Sequence, residues 1–112
     1  MTLDMSDRNI DGVTVVNLEG KLNTGTSPDA DSYLSQLISG GSSKLLLDME
    51  KVDYISSSGL RVALSIGKKL GACGGKLAFC SLNPSVGEVF RISGFNSIFP
   101  VFESEQEALE SI

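Results

Sequence analysis

The chain has 112 residues, 41% of them apolar. This length and composition fit one domain over residues 1–112 with a buried core. Its formal net charge is −5 and its nine basic residues are scattered, so it lacks the positive footprint that binding of nucleic acid requires. Histidine is absent, which excludes a Ser-His-Asp or Cys-His mechanism within the chain, and also excludes zinc bound by histidine.

The first two predicted elements are strands joined by a hairpin. Residues 2–8 alternate, with Leu3 and Met5 on one side, and residues 14–18 form a β-branched run. A turn near Asp11-Gly12 connects the two runs, so we expect an antiparallel pair at the amino-terminal edge of a sheet.

A loop over residues 20–25 separates this hairpin from the first helix. Ser27 can cap that helix and Pro28 suits its first position, after which apolar residues follow at helical spacing. Gly40 and Gly41 are expected to end it.

A continuous apolar run over residues 44–49 is typical of a strand that is covered on both faces, and we expect it to be central. After residues 52–55, the three serines Ser56–Ser58 open a second helix with an apolar stripe. Lys68, Lys69 and Gly71 are expected to close this helix.

The remaining elements continue the alternation. Residues 77–80 predict a buried strand, and Asn83-Pro84 provides a cap and a proline for a third helix. Residues 98–102 predict an edge strand, and Ser104 with Glu107 forms a capping box for a last helix. The order predicts an α/β fold in one domain: a mostly parallel central sheet, an antiparallel hairpin at its edge, and about four helices.

The amino-terminal residues 1–4 lack the basic and apolar regions of a signal peptide, and no apolar run approaches the roughly 20 residues that span a bilayer. We therefore expect a cytoplasmic protein without membrane insertion. Cys73 and Cys80 fit neither a CxxC redox pair nor a disulfide framework, so we expect two buried or half-buried free thiols.

The serine cluster Ser56–Ser58 is the leading functional feature. It follows the predicted central strand and stands at the amino end of a helix, where open sheets place their working surface. Free N–H groups and the helix dipole tolerate a phosphoryl group there, which adds about −1.5 to −2 charges. Serine is also a preferred helix cap, so the spacing alone leaves open both a plain cap and an exposed serine switch.

Two other motifs fit a structural role better than a chemical one. The glycine-rich segment 71–76 has three residues between its outer glycines where a P-loop needs four, and it lacks the required Ser or Thr. Asp48, Glu50 and Asp53 form an acidic cluster that we interpret as a solvated loop after a strand rather than a metal site.

Residues 52–62, Val-Asp-Tyr-Ile-Ser-Ser-Ser-Gly-Leu-Arg-Val, preceded by residues 46–49, resemble the signature of the STAS domain family of bacterial anti-sigma factor antagonists. Residues 18–23 resemble the strand-end segment of that family, and the element order is similar over nearly the whole chain. In that family the serine two places before the glycine is phosphorylated, which implies Ser57, with Ser58 and Ser56 as alternatives.

The resemblance also implies a partner-binding face. Many antagonists carry an aspartate at the positions of Ser56 and Asn23, so this chain lacks two negative charges there. The implied binding residues are Asn23, Thr24, Ser56, Ser57, Ser58, Gly59, Leu60 and Arg61.

The function that the resemblance implies is partner switching without a cofactor. The unmodified protein binds an anti-sigma factor that is also a serine kinase of the Bergerat (GHKL) fold. Phosphorylation at Ser57 releases the protein, and a metal-dependent serine phosphatase restores it. The alternative within the family is a STAS subunit of a lipid-transport complex or a stressosome-like assembly.

An enzyme would need Ser57 or Ser58 as a nucleophile, with Lys68 or Lys69 as its base. Without histidine or a second recognisable base, we expect that the chain is not an enzyme.

Overall fold

The structure is a computed structural model that describes residues 3–112. Within these residues there are five strands and four α-helices: β1 and β2 form an initial β-hairpin, after which helices and strands alternate. The elements are β1 (Asp4–Ile10), β2 (Val13–Leu22), α1 (Ser27–Ser39), β3 (Lys44–Ile55), α2 (Ser57–Ala72), β4 (Lys76–Cys80), α3 (Pro84–Ser93), a 3₁₀ helix (Phe95–Ser97), β5 (Val101–Phe102) and α4 (Glu105–Ser111).

The five strands form one sheet in the order β1-β2-β3-β4-β5. Among residues 3–112, the β1–β2 pair is the one antiparallel pair, and the other three pairs are parallel. The predicted α/β fold, with β3 at its centre and a hairpin at its edge, is therefore confirmed. The first predicted strand began at Thr2, which lies outside the described residues.

Two apolar layers cover the sheet. On one face, α1, α2 and α3 bury Leu34, Ile66 and Phe90 against β2, β3 and β4. On the other face, Ala108 of α4 packs over Leu46 and Ala78. None of the helices within residues 3–112 is long and apolar enough to cross a membrane.

The predicted loop over residues 20–25 was too long. β2 continues through Leu22 because β3 runs beside it, pairing Gly20 with Val52 and Leu22 with Ile55. β3 is correspondingly longer than its apolar run. The acidic cluster Asp48, Glu50 and Asp53 therefore lies on this strand, not in a loop as we expected.

Local signals at three other helix and strand ends had mixed outcomes. Thr26, not Ser27, precedes α1, because Ser27 already belongs to the helix and donates its hydroxyl to the Asn23 carbonyl at 2.6 Å. Asn83 caps α3 as predicted, with its side-chain oxygen accepting from the Val86 amide at 2.8 Å. The last strand is shorter than predicted, because the amides of Ile98 and Phe99 donate to the Phe95 carbonyl and pairing with β4 begins only at Val101.

The two cysteines differ more than we expected. Both are free, and Cys80 is buried in β4, but Cys73 at the end of α2 is exposed rather than half-buried. Burial, together with the charge of Asp48, raises the pKa of the Cys80 thiol to about 12.

Candidate functional site

The candidate site forms where the parallel strands β2 and β3 end together. Leu22 and Ile55 are the last paired residues, and the Ser56 amide donates to the Leu22 carbonyl at 2.9 Å. Because β2 leads into residues 23–26 and β3 leads into Ser56, both segments emerge at the same edge of the sheet. The structure thus brings together the two segments that the sequence predicted as one binding face.

Ser56 starts α2 as its cap. Its hydroxyl oxygen accepts from the Gly59 amide at 3.3 Å, and its carbonyl accepts from the Leu60 amide at 3.0 Å. The side chain is half-buried between the strand and the helix. The predicted cap is therefore confirmed for this serine, whose hydroxyl is occupied by a structural contact.

Gly59 allows the first turn of α2 to press against the strand ends. A Cβ at this position would lie 2.8 Å from Leu22 Cγ and 2.9 Å from Ile55 Cγ1. Cβ atoms in folded proteins do not approach other heavy atoms that closely, so only glycine fits here without a local shift of its neighbours. This contact sets how near the serine cluster lies to residues 23–26.

Asn23 organises the loop that faces the serines. Its side-chain oxygen accepts from the amides of Gly25 at 2.9 Å and Thr26 at 3.1 Å. The main-chain amide of Asn23 donates to Thr26 Oγ1 at 2.9 Å, and the Thr26 hydroxyl donates to the Lys21 carbonyl at 2.7 Å. A side-chain oxygen that accepts main-chain amides is the geometry of an Asx turn, so Asn23 shapes the loop without adding charge.

Ser57 and Ser58 have different surroundings. The hydroxyl groups of Thr24 and Ser58 are hydrogen-bonded at 3.2 Å, which links the loop to α2. Ser57 is exposed, and within residues 3–112 its hydroxyl has no hydrogen-bond partner. Of the three clustered serines, Ser57 therefore presents the unoccupied hydroxyl group.

The lysines considered as bases for a serine nucleophile do not reach it. Lys69 donates to Ser35 on α1 at 2.7 Å and lies 3.9 Å from the Asp31 carboxylate. Lys68 and Lys69 follow Ser57 by three turns of helix, about 16–18 Å along its axis. Neither amine can accept a proton from Ser57.

The glycine-rich segment after α2 has its amide groups engaged within the fold. The Gly75 amide donates to the Leu70 carbonyl at 2.7 Å, and the Lys76 amide donates to the Ser43 carbonyl at 2.8 Å. A phosphate cradle needs such amides free and pointing at the ligand. The segment therefore joins α2 to β4 and does not resemble a nucleotide site.

Asp48 and Glu50 of β3 line an open groove of about 300 Å³ with parts of β1 and β2. Lys51 lies 4.0 Å from Glu19 within this groove and offsets part of its charge. Within residues 3–112, no three acidic or cysteine side chains are arranged to hold a metal ion.

A comparison with known families is consistent with this arrangement. A family model described as the STAS domain matches residues 4–108. The chain belongs to the STAS domain family. The match includes every strand and both segments of the candidate site, so the resemblance found in the sequence is confirmed.

Two relatives of this STAS domain carry related names. BtrV of Bordetella bronchiseptica, named as a candidate anti-sigma factor antagonist, is 42% identical over 99 residues, covering 88% of this chain and 85% of BtrV. The anti-sigma F factor antagonist of Paenibacillus polymyxa is 29% identical over 113 residues, covering 100% of this chain and 97% of that protein.

A solved structure confirms the fold of the STAS domain. The crystal structure of a candidate anti-sigma factor antagonist from Thermotoga maritima superposes with a TM-score of 0.92. It is 23% identical and covers 96% of this chain and 93% of that chain. At 23% identity, this similarity is evidence for the fold alone.

The sequence analysis placed Tyr54 within the family signature of this STAS domain but did not include it among the binding residues. Tyr54 is 47% exposed near the end of β3, and the adjacent Asp53 pairs with Lys21 at 3.5 Å. The signal in the sequence was an aromatic residue next to the polar Asp53, between the apolar residues Val52 and Ile55; the structure shows both Asp53 and Tyr54 exposed. A large exposed aromatic side chain at such an edge is suited to contact with a partner.

Proposed function

We propose that this STAS domain is an anti-sigma factor antagonist that works by partner switching in the cytoplasm, and that residues 1–112 act as one domain. In its unmodified form it binds an anti-sigma factor that is also a serine kinase of the Bergerat (GHKL) fold. The kinase transfers the γ-phosphoryl group of ATP to the Ser57 oxygen and releases ADP and the hydroxyl proton. A metal-dependent serine phosphatase hydrolyses the phosphoester to serine and inorganic phosphate.

The observation that carries this proposal is the difference among the three serine hydroxyl groups. Ser56 accepts from the Gly59 amide and Ser58 bonds to Thr24, whereas Ser57 is exposed and without a partner within the described chain. A kinase can reach Ser57 without breaking a contact in the fold. The names of the relatives from Bordetella and Paenibacillus support the anti-sigma factor as the partner.

Phosphorylation at Ser57 would act on binding more than on folding. Ser57 is the first residue of α2, where the helix dipole favours a negative group. The same dianion in the centre of an interface loses its water and repels carboxylates of the partner. A change of about 2.7 kcal/mol is enough to weaken binding 100-fold.

The binding face that we propose differs in charge from the common pattern of the family. Asn23 and Ser56 are neutral where many antagonists carry aspartate, yet both keep the hydrogen bonds that shape the site. The face therefore relies on hydrogen bonding and on the exposed residues Thr24, Ser57 and Arg61 for recognition. A kinase that selects acidic neighbours would phosphorylate this chain poorly.

We also propose that the chain is not an enzyme. It has no histidine, and the two lysines that follow Ser57 on α2 lie too far along the helix to serve as its base. The fold alone does not choose between an antagonist and a STAS subunit of a lipid-transport or stressosome-like assembly, because one fold supports several functions. The 42% identity to BtrV favours the antagonist.

Titration calorimetry with the anti-sigma factor of the same host tests the proposal. Ser57→Ala should bind as the wild type does, and Ser57→Asp should bind about 100-fold more weakly because of the added charge. Ser85→Asp is the matched control, because Ser85 is also exposed in the first turn of a helix, α3, and is not among the proposed binding residues. Equal binding by Ser57→Asp and wild type would contradict the switch.

A further inference from the structure

One face of α2 carries a single row of exposed side chains. Ser57, Arg61, Leu64 and Lys68 follow one another at spacings of four, three and four residues, and all four are exposed. Residues at these spacings are neighbours on one helix surface. We refer to Ser57, Arg61, Leu64 and Lys68 as the α2 stripe.

The two cations of the α2 stripe have no ionic partner in the fold. Within residues 3–112, no carboxylate lies within 4.0 Å of Arg61 or Lys68. Five other basic residues do form ion pairs within that distance. They are Arg8 with Glu105, Lys21 with Asp53, Lys51 with Glu19, Lys69 with Asp31, and Arg91 with Glu88.

We propose that Arg61 binds the phosphate on Ser57 across one turn of α2; this inference rests on the proposed phosphorylation of Ser57. Arg61 follows Ser57 by four residues, so their Cβ atoms are about 5–6 Å apart on the helix surface. An anion placed four residues before a cation is the favoured orientation on a helix. The planar guanidinium group also matches the geometry of phosphate oxygens.

The pairing changes the stripe in two ways at once. The phosphate adds about −1.5 to −2 charges at Ser57, and it engages the cation nearest to that position. A partner that contacts Arg61 and Lys68 with acidic groups on either side of Leu64 would then meet a row of nearly neutral net charge. Phosphorylation thus withdraws a binding group as well as adding a repulsive one.

The other charged side chains near Ser57 are engaged or remote. Lys21 is engaged with Asp53 at 3.5 Å, and Lys68 lies about 16 Å from Ser57 along the helix axis. The Gly59 amide is occupied by the Ser56 hydroxyl at 3.3 Å. Among the charged side chains, Arg61 is therefore the one placed to pair with the phosphate.

The test uses the full chain with phosphoserine inserted at position 57 during translation, followed by a ³¹P NMR titration of the phosphate. Pairing stabilises the dianion, so its second pKa should be about 0.3 units lower in the wild type than in Arg61→Gln. Arg61→Lys, which keeps the charge without the planar fork, should give an intermediate value. Concentrated salt should remove the difference because it screens exposed charges.

Lys68→Gln and Lys21→Gln are the matched controls, since each removes one positive charge. Both should titrate like the wild type. An unchanged pKa in Arg61→Gln would overturn the proposal, and so would an equal shift in Arg61→Gln and either control, which would report only the overall field. Because no kinase is used, a failure here leaves the proposed function standing, and failure of a kinase to modify Ser57 leaves this result unaffected.

Discussion

The amide of Ser56 donates to the carbonyl of Leu22 at 2.9 Å, so the start of α2 is fixed to the end of β2. This bond continues the pairing of β2 with β3 by one step beyond the strands. It holds the serine cluster beside residues 23–26 before any partner binds. A face that is preformed in this way needs little reorganisation on binding a partner.

Ser56→Ala should destabilise the domain by about 1 kcal/mol, because the Gly59 amide loses the hydroxyl that caps it. Ser56→Asp should retain most of the stability, since aspartate is an equally good cap and suits the positive end of the helix. Urea unfolding followed by circular dichroism measures both variants. Equal losses in the two variants would show that the cap is not the source of the effect.

Gly59→Ala should cost about 1–3 kcal/mol of unfolding free energy, because its Cβ would meet Leu22 Cγ at 2.8 Å. Gly71→Ala is the control on the same helix, since no heavy atom lies within 4 Å of a Cβ there. That substitution should stabilise α2 by roughly 0.5–1 kcal/mol through the reduced backbone freedom of the unfolded chain. Similar values for the two variants would contradict the close packing at Gly59.

Thr24→Val should release the Ser58 hydroxyl, which is bonded to Thr24 at 3.2 Å. A hydrogen bond of about 1 kcal/mol corresponds to roughly a fivefold change in accessibility, so the share of phosphate on Ser58 should rise about fivefold after reaction with the kinase. Peptide mapping by mass spectrometry measures this share. Thr24→Ser is the control, since it keeps the hydroxyl; an unchanged share in Thr24→Val would mean that Thr24 does not influence the choice of serine.

The stability of the domain should fall as the pH rises above about 9. The pKa of Cys80 is raised by burial from 9.0 to about 12, so above pH 9 the unfolded chain loses a proton that the folded chain keeps. The free energy of unfolding then decreases by up to about 1.4 kcal/mol per pH unit. Desolvation and the hydrogen bond to Asp7 also raise the pKa of Tyr33 to about 12, and this adds to the slope above pH 10.

Urea unfolding at pH 8, 9 and 10 tests this slope. Cys80→Ala should be less stable at pH 8 because it leaves a cavity, but its slope up to pH 10 should be flatter. A slope identical to that of the wild type would exclude Cys80 as the cause.

Reaction with a thiol reagent should label the exposed Cys73 quickly and the buried Cys80 only on unfolding.

Features set by local chemistry were predictable from the sequence. Asn83 followed by Pro84 starts α3, and Gly94 ends it with a φ of 79°, because caps and left-handed glycines act within a few residues. The position of Ser56 at the start of α2 followed from the same local rules. The fold class followed from the alternation of strand and helix patterns.

Features that depend on pairing between distant segments were not predictable. β2 extends to Leu22 because β3 lies beside it, and the residue pattern of 20–22 does not indicate a strand without the family resemblance of residues 18–23. The bond between Thr24 and Ser58 joins residues 34 positions apart, and it depends on that strand register. The residue pattern alone leaves the three serines alike, and the family resemblance singles out Ser57; the structure adds which hydrogen bonds each hydroxyl group makes.

The central claim is that Ser57 is the serine that another protein modifies. Mass spectrometry of the protein purified from its native host, with fragmentation that separates Ser56, Ser57 and Ser58, tests it most directly. We expect phosphate on Ser57, because the hydroxyl groups of its two neighbours are engaged in the fold. Phosphate found on Ser56 or Ser58 with none on Ser57 would contradict the account.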